Sequence, residues 1–340
     1  MMNRIEVHTR EYKSTGGQSQ LELSYGVGIF FNSSESRALA YRKLFAAKLI
    51  AVAILVDFDG GANQEKKKNL LLNTTALNCI ANHLITLKLD DIFEYKKNLD
   101  EIASCVSNNM TDPTIRNIFI DITGVPLIYS VALTKFIFRM FPAPKVTLLN
   151  VSGRYSLRGE EQFSEGEQYD MYIPGYYGAP DHSLPQHYIF LLGYDGERSL
   201  NIYRDNLPEK ISVIIPSPGY DVGNDKNTIK NNREFLMETG FYFKNGALPK
   251  KYSRNRYIYY IDVCDVSAVQ EQIEKIYDED KGKFEIRLVP LGPKPQAIGA
   301  ALAAVFNNDI SIMYQVPRKY YMSEIPAGDK MWVYDLNVSF

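Results

Sequence analysis

Asp57 and Asp59 stand just beyond an apolar run at 50–56, within Asp57-Phe58-Asp59-Gly60-Gly61, and Asp121 lies near the end of a second such run at 117–122. Carboxylates at the carboxyl end of a strand could hold Mg²⁺ or serve a phosphoester-cleaving reaction, and acids in a Gly-rich turn also serve as turn residues alone. Two further segments combine a glycine with the start of a helix. Thr123-Gly124-Val125-Pro126 joins a capping hydroxyl, a residue that permits close approach, and a helix amino end that attracts anions; the same residues also make an ordinary cap with proline in the first turn. Gly292-Pro293-Lys294-Pro295 adds a lysine to that arrangement. A cation at a helix amino end is unfavourable unless an anion is present, and a phosphate would supply one. Pro293 and Pro295 lack amide protons, so this is no P-loop nest, and a solvated or acid-paired Lys294 is the plain alternative.

Arg37 and Arg198 each follow a glutamate by a residue or two, Glu35 and Glu197, and each begins a helix. A guanidinium can bind phosphate bidentately, or form an exposed helix ion pair of little energetic weight. Arg154-Tyr155 and Arg318-Lys319-Tyr320-Tyr321 follow later strands, where a cation beside an aromatic could hold a phosphate and stack a base. Metal and nucleophile chemistry has less support. The four histidines show no zinc spacing; His182 and His187, near a Pro/Gly/Tyr-rich stretch, read as surface residues. No Gly-x-Ser-x-Gly elbow and no Gly-rich dinucleotide fingerprint is present. The expectation is no metal and no resident cofactor, with Mg²⁺ the one candidate ion.

The elements that must position these residues follow from hydrophobic periodicity. Strands are predicted at 21–31, 50–56, 117–122, 146–150, 188–192, 211–215, 257–263, 284–289 and 310–314, with helices between them, including 35–48 and a single helix over 66–84. Continuous β-branched runs alternating with helices predict an α/β fold with a mainly parallel, doubly wound sheet. Arg37 and Arg198, Leu39 and Leu200, Val52 and Val213, and Ile54 and Ile215 keep one constant separation, while Gly124 and Gly292, Ala132 and Ala300, and Phe138 and Phe306 keep another. We therefore expect two tandem Rossmann-like halves related by internal duplication, at 21–155 and 187–340. An N-terminal extension at 1–20 and a linker or irregular loop at 156–186 complete the division. In such a fold the ligand crevice lies outside the carboxyl ends of the strands, where the residues above fall.

The 340 residues include 38 Lys and Arg against 40 Asp and Glu, a net charge of −2, so the chain lacks the basic field that grips long nucleic acid. With 45% hydrophobic residues it can bury a sizeable core. The three cysteines, Cys79, Cys105 and Cys264, are scattered, which fits a reducing compartment without disulfides. The polar segment at 1–20 has no signal-peptide core and no run is long enough to cross a bilayer, so a cytoplasmic location is expected.

The paired units, one strand leading to Thr123-Gly124 and a helix, the other to Gly292-Pro293-Lys294 and a helix, resemble the Rossmann-like CARF and SAVED sensor domains of prokaryotic antiviral defence systems. That resemblance implies nucleotide recognition, including cyclic oligonucleotides, and a protein effector or ATPase partner. It implies ligand contacts at Thr123, Gly124, Gly292 and Lys294, with Arg37 and Arg198 beside them. A nucleotide sensor or adaptor is the first expectation. An enzyme acting on a phosphoester or glycosidic bond of a nucleotide through Asp57, Asp59 or Asp121 is the second, and a structural subunit of a defence complex the third.

Overall fold

The structure, a computed structural model, describes residues 4–13, 21, 23–59, 63–110, 117–154, 164–241, 255–320 and 325–339. Two compact units divide the chain: Met1–Arg154 together with Met322–Phe340, and Tyr155–Tyr321. Each is a mixed α/β unit built on one mostly parallel sheet with interleaved helices, the Rossmann-like arrangement that the alternation predicts.

The first sheet has seven strands: β1 (Arg4–Lys13), β2 (Tyr25–Phe31), β3 (Ile50–Phe58), β4 (Ala81–Leu89), β5 (Asn117–Asp121), β6 (Lys145–Gly153) and β13 (Ala327–Ser339), in the order β1-β13-β6-β5-β2-β3-β4. The five strands from β4 to β6 are mutually parallel; β13 and β1 add antiparallel neighbours. A 3-10 helix (Ser36–Lys43) and α1 (Gln64–Ile80) bury Tyr41, Leu44, Leu77 and Ile80 against Tyr25, Ala53, Leu55 and Phe119 on one face. Phe31, next to Phe30 of that core, and Phe58, three residues beyond Leu55, turn to the other face, where Phe58 meets Tyr129 of α3 (Leu127–Met140), which is bonded to Asn98 of α2 (Tyr95–Asn109).

The second sheet runs β10-β9-β8-β11-β12-β7, formed by β7 (Ser164–Tyr172), β8 (Gln186–Leu191), β9 (Lys210–Pro216), β10 (Arg256–Ile261), β11 (Glu285–Pro290) and β12 (Ile310–Tyr320). All pairs are parallel except β12 with β7. Helices α4 (Gly196–Asn206) and α6 (Arg233–Glu238), the latter preceded in the chain by α5 (Asn224–Asn231), pack Leu200, Ile202, Phe235 and Leu236 on one face. Helices α7 (Val266–Asp280) and α8 (Lys294–Val305) pair with each other; Gly299 lets α8 approach α7 so closely that a Cβ there would stand 2.7 Å from the Val266 carbonyl oxygen. The parallel cores share one order: in each, the third, second, first, fourth and fifth strands in sequence lie side by side.

Several boundaries differ from the sequence expectation. The segment at 1–20 is no simple extension, since β1 pairs along its whole length with β13. The linker at 156–186 contains β7, an edge strand whose polar alternation SEGEQYDMY hides it, and then Ile173 and Tyr176, both fully buried beside β12. The second half does not extend to 340, because β13 belongs to the first sheet. The single helix over 66–84 ends at Ile80 and passes directly into β4, so its apolar residues at 81 and 84 belong to an edge strand. The helix at 35–48 is a shorter 3-10 helix, whose Glu35 makes no side-chain capping bond to the helix backbone.

Candidate functional site

In a doubly wound sheet, the loops after the first and fourth strands diverge to opposite faces and leave a crevice at their carboxyl ends. In the first unit this switch point lies between β2 and β5, with loops at 32–35 and 122–126. Gly124 seats one loop against the other: a Cβ there would stand 2.9 Å from both the Ser33 and Ala38 Cβ atoms. Asp121 is buried and accepts the Thr123 backbone amide at 2.9 Å, which sets the turn. Thr123, fully buried, accepts the Val151 amide on Oγ1 at 3.2 Å, and Arg37 donates from Nη1 to the Val151 carbonyl at 3.0 Å. Arg37 also pairs with Glu35. Thr123, from the 122–126 loop, and Arg37, from the first turn of the 3-10 helix, thus grip the same residue of β6.

The second unit repeats the geometry between β8 and β11. Gly193 and Gly292 lie where the two loops touch: a Cβ at Gly193 would collide with the Leu291 carbonyl oxygen, and one at Gly292 would stand 2.8 Å from that of Leu192. Arg198 is buried, donates to the Gln315 carbonyl on β12, and lies 4.6 Å from the Tyr314 ring centroid. Lys294 is the first residue of α8, preceded by Pro293 and followed by Pro295, with no acid in the first turn. Gln296, fully buried one residue further on, donates to the Ile261 carbonyl at 3.3 Å, while its Oε1 has no hydrogen-bond partner among the described residues. Sequence reasoning missed Gln296, because a polar residue in the first turn of a helix is unremarkable until its burial is known.

The structure gathers Arg37, Asp121, Thr123 and Gly124 at the first unit's switch point, and Arg198, Gly292 and Lys294 around the second's. Arg37 and Arg198 are buried residues bonded to backbone, in place of the exposed ion pairs considered above. Asp57 and Asp59 lie at the end of β3, beside the 32–35 loop. Asp57 accepts from Asn32 at 2.8 Å and pairs with Lys66 at 3.6 Å, while Asp59 is exposed and its amide bonds Leu89. Lys66, Asn69 and Asn73 form a polar stripe on the buried face of α1, bonded to Phe58, Ser33 and Asn32. Their helical spacing in the sequence was the available signal. Gly60, Gly61, Tyr155 and Tyr321 lie outside the described residues. Arg154 is exposed and paired with Asp329 at 2.5 Å. Among the described residues, no group of three or more His, Cys, Asp or Glu is placed to hold a metal, and Cys79, Cys105 and Cys264 form no disulfide.

One constellation has the connectivity of a hydrolase triad. His187 Nδ1 lies 2.6 Å from Asp280 Oδ2, and its Nε2 lies 2.8 Å from Ser212 Oγ. His187 is therefore no surface residue: it is the second residue of β8 and, like Ser212, is fully buried. Lys210 donates to both Asp280 oxygens at 2.8 Å. A nucleophile sealed from solvent meets no substrate, and the cluster sits at the amino ends of β8 and β9, away from the switch point. Burial holds His187 below its ordinary pKa against the Asp280 hydrogen bond. Burial also opposes ionisation of Asp280, but hydrogen bonds from His187 and Lys210 outweigh it and keep the carboxyl below its usual range.

Fold and sites together define a protein of two Rossmann-like α/β units, each with a glycine-lined switch point. No protein-family model matches the chain, and no curated protein matches it. Among solved structures it is similar to a type III CRISPR defence DNA nuclease activated by cyclic oligoadenylate, with a TM-score of 0.47 and 10% identity, covering 88% of this chain and 67% of that one. It is also similar to a universal stress protein from Archaeoglobus fulgidus DSM 4304, with a TM-score of 0.25 and 8% identity, covering 86% and 98% respectively. At these scores neither neighbour speaks to ligand or activity. Among the described residues no helix is long and apolar enough to cross a membrane.

Proposed function

We propose that this chain is a nucleotide-recognising sensor or adaptor of a prokaryotic antiviral defence system, with a cyclic or linear oligonucleotide as ligand and a protein effector or ATPase as partner. The observation that carries the reading is Lys294 at the first position of α8, directly after the switch-point loop that follows β11, with no acid in that turn. The amino end of a helix already favours negative charge, so a cation there gains from an incoming phosphate. Gly292 brings the backbone close, and Thr123 and Gly124 shape the corresponding loop of the first unit. Arg37 and Arg198 act as positioning residues, holding the loops through backbone carbonyls. The sensor reading stands ahead of the nucleotide-cleaving one because Asp57 is engaged by Asn32 and Lys66, and Asp121 by the Thr123 amide. Differential affinity for two conformations would then pass the signal to the partner.

Calorimetric titration of cyclic and linear oligonucleotides against the wild type and Lys294→Ala tests this. Loss of one charge-assisted contact weakens binding by about tenfold to a hundredfold, with the melting temperature unchanged. Equal affinities in the two proteins refute the assignment of Lys294. Turnover of the same nucleotides with Mg²⁺ would favour the enzymatic alternative.

A further inference from the structure

The two sheets exchange a strand. Strand β6 ends the parallel core of the first unit, yet β7, the next strand in sequence, pairs antiparallel with β12 of the second. Strand β12 ends the parallel core of the second unit, yet β13 pairs antiparallel with β6 of the first. Each core is thus completed by the strand that follows the other core. Local connection would have made two hairpins, β6 with β7 and β12 with β13.

The exchange meets the switch points at two residues. Val151 on β6 is held by Thr123 and Arg37 and lies opposite Met331 of β13. Gln315 on β12 is held by Arg198 and lies opposite Asp170 of β7. The chain leaving Val151 therefore becomes the strand laid against Gln315, and the chain leaving Gln315 becomes the strand laid against Val151. Covalent bonds, ladder pairing and two arginine clasps close a circuit through both cores. Strand ladders tolerate little independent slippage where one face is buried, because a one-residue shift turns every side chain to the wrong face.

We propose that this reciprocal strand exchange couples the two switch-point loops, so that releasing the clasp in one unit loosens the edge of the sheet in the other. The coupling goes beyond ligand recognition and holds whatever the crevices bind. Its carriers are β6, β7, β12 and β13, and the residues that set it are Arg37, Thr123 and Arg198.

Hydrogen–deuterium exchange of the ligand-free full-length chain, read by mass spectrometry, tests it apart from any ligand. Arg198→Ala is expected to speed exchange by roughly tenfold or more at 310–320 and 164–172, and also at 145–153 and 327–339 in the first unit, with α1 and α2 unchanged. Arg198→Lys, which keeps the charge but loses the planar fork, serves if the alanine variant does not fold, and is expected to show the same pattern in smaller degree. Arg204→Ala is the control: it removes an arginine from the same helix whose partners are Glu234 and Glu238, and the first unit should not respond. Changes confined to 155–321 overturn the proposal. A uniform rise across the first unit, α1 and α2 included, overturns it equally, since that is global loosening.

Discussion

His187, Asp280, Lys210 and Ser212 show how residue types acquire meaning from burial. Histidine and aspartate both hold their protons less tightly folded than unfolded. Between the folded and unfolded pKa values the unfolded chain binds more protons, so stability rises with pH there. The histidine contribution is complete above the ordinary value of about 6.5 and declines as pH falls below it; the carboxylate contribution is lost further down, below about 3.9. Denaturant melts from pH 7.5 to 5 should show the midpoint falling with pH, and His187→Gln should flatten that limb. Lys210→Met leaves Asp280 buried without its cation and should cost about 3–5 kcal/mol at neutral pH, measured in the same melts. Lys294 stands at the opposite extreme. It is only half-buried, and its substitution should move affinity while leaving the melt alone.

At the scale of elements, glycines decide how closely the switch-point loops approach. Gly193 faces the Leu291 carbonyl and Gly196 the Asn231 carbonyl, with no room for a methyl group in either place. Gly193→Ala should therefore destabilise the second unit by about 1–3 kcal/mol, as overpacking does, visible as a lower denaturation midpoint. The equal separation of Gly124 and Gly292 from their neighbouring core positions was legible in the sequence, and both do fall at switch points. What the glycines pack against was not legible: Gly124 meets side chains of the 3-10 helix and its approach, whereas Gly292 meets backbone oxygens at the end of β8. The same limit hid β4. An apolar pattern that passes from helix to strand without a turn residue offers periodicity but no boundary.

For the whole molecule, the exchanged strands tie distant parts of the sequence together. Strand β13 carries Met331, Val333, Tyr334 and Leu336, all buried, into the first sheet, and β1 has its ladder partner in β13. Truncation after residue 326 should therefore unfold the edge of the first unit, expose β6 to intermolecular pairing and promote aggregation. Light scattering and protease protection of 145–153 would measure both effects; a truncated chain that stays monodisperse and protected would show the strand dispensable.

The sequence by itself determined the α/β class, the parallel cores and the places where a helix amino end meets a glycine. Those features are written in local periodicity and turn chemistry, which report which face of an element is buried. It could not determine which strand lies beside which. Strand β7 reads as a polar loop because one edge is solvated, and β13 reads as the natural end of the second half because it follows β12. Pairing is a non-local choice, made by whichever buried edge lies open when the cores assemble, and so the exchange of strands, the burial of His187 and the arginine clasps on Val151 and Gln315 were decided only by tertiary structure.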